Sequence, residues 1–345
     1  AMTEGVSFCH TAKNLCQNAV FRLLFVWADS IVVLFSVPWE VTASYGGGTA
    51  QAPDAILDAS MQVDLYDVHN PGGWEQGIGT LEMDDTLNPR SNRLRQEALQ
   101  VMSHLENGGA LDSDFIQRRL RRINKASEEL NQYVYEESKR WVEAGKKVGV
   151  VGGDHSVPLG LMRVMAERYP GVGVLHIDAH ADLRKAYEGF TYSHASIMYN
   201  ALQEAPGIGA LVQVGIRDFC DEELETARAD KRVVQFPDHE LAAAGFAGET
   251  WQQVCNRIVE TLPKQVYVSF DIDGLSPDNC PHTGTPVPGG LSFREAVYLL
   301  VTVVESGREI VGFDLCEVAP SHEEEWDANV GARILYKLCN LALKA

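Results

Sequence analysis

Asp178, His180 and Asp182 stand two residues apart at the end of an apolar run, Val172-Gly173-Val174-Leu175-His176-Ile177. The run has the length and the Val/Ile/Leu content of a buried strand. Alternate side chains of an extended chain share a face, so Asp178 and His180 emerge together at the strand's C-terminal end. Asp182 can join them as the chain turns off the sheet. Two carboxylates and an imidazole converging there form a metal-site geometry, and ligands of open α/β sheets sit outside the carboxyl ends of the strands. The device recurs twice. Val266-Tyr267-Val268-Ser269-Phe270 runs into Asp271-Ile272-Asp273, and Val148-Gly149-Val150-Val151 runs into Gly152-Gly153-Asp154-His155.

Taken singly, a histidine after a strand is ordinarily structural, and an aspartate there is ordinarily a cap, as Asp154 can be. Joint placement argues otherwise. His155, Asp178, His180, Asp182, Asp271 and Asp273 all lie at strand exits in a chain with only 10 histidines. One ion cannot use six such ligands and keep an open position. Two divalent ions would balance the charge of the four aspartates. Oxygen-rich ligation with two imidazoles fits Mn²⁺ well, with Ni²⁺, Co²⁺ or Fe²⁺ as alternatives. A two-metal site holds a bridging water, lowers its pKa and makes hydroxide available near neutral pH. The reaction class expected is hydrolysis at an electrophilic carbon or phosphorus.

The elements that must position these residues alternate regularly. A first strand is expected at Ile31–Val37, a helix at Pro53–Ser60 and a long helix over Asp112–Ala144, with Val63–Pro89 irregular. Further on, strands are expected at Val148–Val151, Val172–Ile177, Leu211–Ile216, Val233–Phe236, Val266–Phe270 and Ile310–Cys316. Helices between them are expected at Val157–Arg168, about Ser193–Leu202, Asp221–Arg228, Glu249–Leu262, Ser292–Glu305 and Asp327–Leu343. Alternating strands and helices imply a mostly parallel sheet covered on both faces. No linker or fixed repeat divides the chain. Residues 1–30 are read as an N-terminal arm and 31–345 as a single domain.

Composition narrows the function. A net charge of -19 argues against nucleic-acid and acidic-membrane partners. Seven cysteines, without a CxxC pair, point to a reducing compartment and hence a cytoplasmic protein. The apolar stretch Ala19–Val37 is broken by Arg22 and Asp29, which argues against a spanning or signal segment. Pro38–Ala50 is glycine-rich but lacks the Lys-Ser/Thr of a phosphate loop, leaving a flexible turn or a loop over the mouth of a site.

GGDHS at Gly152–Ser156, DAHAD at Asp178–Asp182 and SFDIDGLSP at Ser269–Pro277 resemble the three metal motifs of the ureohydrolase (arginase/agmatinase) family. TGTPVPGGL at Thr283–Leu291 and Glu317 in DLCEVAP also match, and the similarity runs from about Pro38 to the C-terminus. The resemblance implies a three-layer α/β/α fold with a central parallel sheet of about eight strands. It implies a homo-oligomer, trimer or hexamer, or a hetero-oligomer with a paralogous subunit. It places the six residues as ligands of two divalent ions, Mn²⁺ or Ni²⁺. Glu317 matches the acid that pairs with a guanidinium. His194 matches the proton-shuttling histidine, for which a near-neutral pKa is suitable. Thr285 falls on the substrate pocket. The implied reaction is attack of a metal-bridging hydroxide on the guanidinium carbon, with Glu317 stabilising the intermediate and His194 and Asp273 carrying protons. Urea or a substituted urea leaves with an amine or ammonia.

The substrate is read from the residues just after Asp182. Arginases carry a DxN pattern there, whereas this chain has Asp182-Leu183-Arg184-Lys185. Arg184 and Lys185 would repel a cationic tail if both faced the pocket. Glu188–Leu202 and Asn279–Gly290 look like an agmatinase-type branch that resembles guanidine and metformin hydrolases. The expectation is therefore guanidine, an N-alkyl guanidine or a biguanide, with agmatine or guanidinobutyrate as alternatives. Competing classes are a non-catalytic structural subunit, a single-zinc amide hydrolase of the histone deacetylase type, and a two-metal phosphoesterase.

Overall fold

The computed structural model describes Val20, Phe21 and residues 27–344. Most of the arm expected over residues 1–30 lies outside the described residues, as do Cys9 and Cys16. Val20 and Phe21 are buried, with the Phe21 ring 4.7 Å from that of Tyr336.

In chain order the strands are β1 (Val32–Val37), β2 (Ile78–Thr80), β3 (Lys147–Gly152), β4 (Val172–Ile177), β5 (Ile208–Val214), β6 (Val233–Phe236), β7 (Gln265–Asp271) and β8 (Glu309–Cys316). The helices are α1 (Ala52–Ser60), α2 (Leu87–Glu106), α3 (Asp114–Glu143), α4 (Leu159–Arg168), α5 (Ile197–Glu204), α6 (Asp221–Ala229), α7 (Asp238–Phe246), α8 (Trp251–Glu260), α9 (Phe293–Glu305) and α10 (Trp326–Leu343). Ser113, Thr250 and Ser292 start α3, α8 and α9 by accepting from backbone N–H groups in the first turn.

All eight strands pair in parallel, in the order β2-β1-β3-β8-β7-β4-β5-β6. Residues of alternating parity feed two cores. Val32, Leu34, Leu175 and Ile177 pack with α1, α8, α9 and α10, whereas Val33, Phe35, Val172 and Val174 pack with α2 to α5. Burial on both faces explains why these strands read as continuous apolar runs. The eight-stranded three-layer expectation holds.

Three elements were not expected. The stretch Val63–Pro89, read as irregular, contains β2 and the start of α2, and α7 occupies a stretch given no element. β2 is a three-residue edge strand, too short for a periodic signal. Pro89 sits in the first turn of α2, where its missing N–H costs nothing. Among the described residues no helix is long and apolar enough to cross a membrane.

The topology positions the site. From the centre the sheet extends to one edge through β3, β1 and β2, and to the other through β4, β5 and β6. β8 and β7 fill the gap between β3 and β4. The C-terminal exits of β3, β8, β7 and β4 therefore stand side by side where the strand order reverses, the place such sheets bind ligands.

Candidate metal centre and substrate cavity

The four central exits bring His155, Glu317, Asp271 and Asp178 to one spot. His155 Nδ1 lies 3.1 Å from Asp178 Oδ2, 3.2 Å from Asp182 Oδ2 and 3.4 Å from Asp271 Oδ2. His180 Nδ1 lies 3.4 Å from Asp178 Oδ1 and 3.1 Å from Asp273 Oδ2. The six expected ligands thus form two clusters that share Asp178, which turns one oxygen toward each histidine. His176, not expected among them, also falls in the first cluster, with Nε2 2.7 Å from Asp178 Oδ2.

The backbone is bent to achieve this. Asp182 and Glu317 adopt left-handed conformations, φ 53° and 67°, that non-glycine residues rarely hold. The N–H groups of Met198 and Tyr199 fix the Asp182 carbonyl, and the Glu317 N–H donates to Gly153 O at 2.9 Å. Gly153 has to be glycine, since a Cβ there would lie 2.1 Å from Trp39 O.

The electrostatics call for cations. Burial, then the Asp178 charge, pushes Asp182 up to about 8. Burial, then Asp273 and Asp178, holds Asp271 well above the usual carboxylate range, and burial with Asp154 does the same to Glu317. Burial alone would lower the His155 imidazole, but hydrogen bonds to Asp178, Asp182, Asp271 and Asp314 hold it well above its ordinary value. Asp182 Oδ2 and Asp273 Oδ2 are buried against the ring nitrogens of His155 and His180. Buried carboxylates crowded around two imidazoles in this way fit divalent ions.

Beside the clusters lies a cavity of about 150 Å³, lined by Ser44, His180, Asp182, Arg184, Tyr187, His194, Ala195, Asp218, Glu223 and Thr285. The expected His194, Thr285 and Arg184 all reach it. Lys185 is exposed and does not line it. The glycine-rich loop supplies Ser44, and Gly46 N–H donates to Gly284 O at 2.9 Å, tying that loop to the one bearing Thr285. Gly284 faces Glu317: a Cβ on it would sit 2.5 Å from Oε2. Arg184 packs over the Tyr187 ring at 4.8 Å, and its Nε is 3.6 Å from Glu223 Oε2.

His194 departs from expectation. Burial, then the charges of His180, Arg95 and His155, push its pKa down to about 3, so the ring is neutral and a weak base. Ser44, Tyr187, Asp218 and Glu223 are lining residues that sequence reasoning missed. For Glu223 a signal existed: it stands three residues into α6, where its carboxylate accepts from Cys220 N–H at 3.0 Å.

The parallel sheet with paired carboxylate–imidazole clusters at its central exits defines a metal-centred α/β enzyme. The sequence model of the arginase family matches residues 30–340, and the chain belongs to that family. It is a ureohydrolase, an enzyme acting on a linear amidine, with the family's binuclear divalent metal site. The N(1)-aminopropylagmatine ureohydrolase of Thermus thermophilus is 33% identical over 295 residues, 86% of this chain and 85% of that protein. The agmatinase of Bacillus anthracis is 28% identical over 309 residues, 88% and 89% of the two chains. In fold, the agmatine ureohydrolase of Thermoplasma volcanium superposes with a TM-score of 0.70 at 22% identity, covering 93% and 92% of the two chains.

Proposed function

We propose that the chain hydrolyses a small guanidino compound, with guanidine, an N-alkyl guanidine or a biguanide preferred, giving urea or a substituted urea plus an amine or ammonia. His155, Asp178, Asp182 and Asp271 would hold one divalent ion, and His180, Asp178 and Asp273 the other, Mn²⁺ or Ni²⁺. Bound there, the pair supplies a nucleophilic hydroxide at neutral pH and charge to offset that of the intermediate. Glu317 accepts the guanidinium N–H groups in a charge-assisted contact. His194, which matches the proton-shuttling histidine, would carry a proton to the departing nitrogen, with metal ions in place of the protons on His155 and His180 that depress its pKa. Asp273 assists as a second proton carrier, and Thr285 and Arg184 bound the space left for the substrate. Convergence of all six ligands speaks against a non-catalytic subunit, and the two clusters speak against a single-zinc amide hydrolase. We expect a cytoplasmic trimer or hexamer.

The observation that carries the substrate preference is Arg184 on the wall of a small cavity, where a cationic tail would meet a like charge. A second reading, an agmatinase-type substrate, draws on Glu223 beside Arg184 and on Asp218 at the same mouth, its side chain 69% exposed. The relatives' names point the same way. A mass-spectrometric depletion panel decides between them. The protein, loaded with Mn²⁺ or Ni²⁺ in parallel, is incubated with guanidine, a metformin-type biguanide, agmatine, guanidinobutyrate and arginine. Depletion of guanidine or biguanide alone supports the tail-less pocket. Depletion of agmatine refutes it in favour of the second reading.

A further inference from the structure

Beneath the two clusters a buried polar row crosses the sheet. The strand register aligns Asp314 of β8 with Ser269 of β7, Ser269 with His176 of β4, His176 with Gln213 of β5, and Gln213 with Gln235 of β6. Partners in register on a parallel sheet point to the same face. Asp314, Ser269, His176 and Gln213 are all fully buried. A row of polar side chains inside an otherwise apolar sheet is costly unless each member is satisfied.

The hydrogen bonds in this row have a fixed direction. Gln213 Nε2 lies 2.7 Å from the carbonyl oxygen of Ala181, which can only accept. The amide nitrogen, not its oxygen, must therefore face that carbonyl. The same nitrogen lies 2.9 Å from His176 Nδ1 and donates its second hydrogen there. His176 Nδ1 is thus an acceptor and its proton sits on Nε2, which donates to Asp178 Oδ2 at 2.7 Å. Gln235 Nε2 donates to Gln213 Oε1 at 2.8 Å and completes the amide's partners.

From this we infer that His176, locked in one tautomer by Gln213, is a positioning residue that holds the carboxylate of Asp178 and so sets both clusters at once. The inference rests on the proposed metal centre. It also assigns a role to Gln213, which through Ala181 O grips the segment between His180 and Asp182. Ser269 does the matching job for His155, with Oγ 2.8 Å from Nε2. Outer partners of this kind orient a ligand and are felt in metal affinity.

The test uses Gln213→Met, which removes both donors while keeping the side chain's length, and Gln235→Leu, which touches only the outer end of the row. Metal content and dissociation constants are measured by titration of the metal-free chains with Mn²⁺, together with their metal-free melting temperatures. Gln213→Met is expected to weaken metal binding by ~10- to 100-fold. Gln235→Leu should lose less, in the same direction. At saturating metal the KM for the guanidino substrate should be that of the parent, because no substrate contact is removed. A folded Gln213→Met chain with the parent's metal affinity overturns the inference alone. Should that variant fail to fold, parental affinity in Gln235→Leu overturns it. A parent chain that binds no metal overturns the metal centre and this inference with it.

Discussion

The carboxylate of Glu317 accepts a hydrogen bond from the backbone N–H of His155 at 2.8 Å, joining the exit of β8 to the exit of β3. The bond uses Oε1, while Oε2 faces the bare Cα of Gly284. One oxygen is thus held by the scaffold, and the other is the one we propose for the guanidinium. Glu317→Gln preserves size and the acceptor for His155 but removes the charge. We expect kcat/KM to fall about 10- to 100-fold, the range of a lost charge-assisted hydrogen bond, with metal content unchanged. Steady-state kinetics and metal analysis on the same sample check this. Loss of metal would mean that Glu317 belongs to the ligand set.

The two clusters share Asp178 but divide the histidines, and this predicts distinct metal losses. His180→Ala leaves His155, Asp182 and Asp271 in place and should retain about one ion per chain. Asp178→Asn weakens both clusters and should retain less than His180→Ala. Elemental analysis after gel filtration reads the stoichiometry directly. Two ions retained in His180→Ala would break the assignment of that histidine.

Away from the site, Asp67 predicts a pH dependence of stability. Burial raises its carboxyl, but the Lys337 hydrogen bond, then the His69 N–H and the charges of Lys337 and His69, outweigh burial and hold it below its ordinary value. A carboxylate depressed on folding stabilises fully above its unfolded pKa of about 3.9 and loses that stabilisation as pH falls through the lower folded value. Asp67→Asn should cost about 1–3 kcal/mol at pH 7. The gap between parent and variant should close below pH ~4. Urea unfolding with chelator present, at pH 7 and at pH 3, measures it, and a gap unchanged at pH 3 would refute the assignment.

Legibility in the sequence depended on where each signal resides. Val172–Ile177 ending in Asp178 was readable because a strand buried on both faces is apolar throughout, so the first polar residue marks its exit. Clustering of the six candidate ligands could be anticipated for the same reason. His176, Ser269, Gln213 and Asp314 could not, because each is a single polar residue inside an apolar strand and acquires meaning only when the register sets them side by side. The cavity wall was half legible. Arg184 could be suspected from its place after Asp182, whereas Asp218 and Glu223 reach the same wall from beyond β5. The lowered pKa of His194 was not legible, because sequence does not report burial or which charged groups stand beside the ring.

Arg184 bears on the choice of substrate. Its guanidinium stacks on Tyr187 and lies 3.6 Å from Glu223, while its backbone N–H donates to Ala195 O at 3.2 Å. Arg184→Ala removes the charge from the cavity wall but leaves that backbone bond, so the loop bearing His194 keeps its anchor. Two like charges a few ångströms apart near water repel by about 1 kcal/mol or more. If Arg184 screens out cationic tails, the variant's kcat/KM for agmatine relative to guanidine should rise about tenfold, the equivalent of 1.4 kcal/mol. Competition assays with both compounds in one vessel give the ratio without error from enzyme concentration. An unchanged ratio would mean that Glu223 already cancels the Arg184 charge. That result would remove the ground for preferring tail-less guanidines, whereas a fall in the ratio would mean that Arg184 and Tyr187 hold the tail in place and would move the preferred substrate to agmatine.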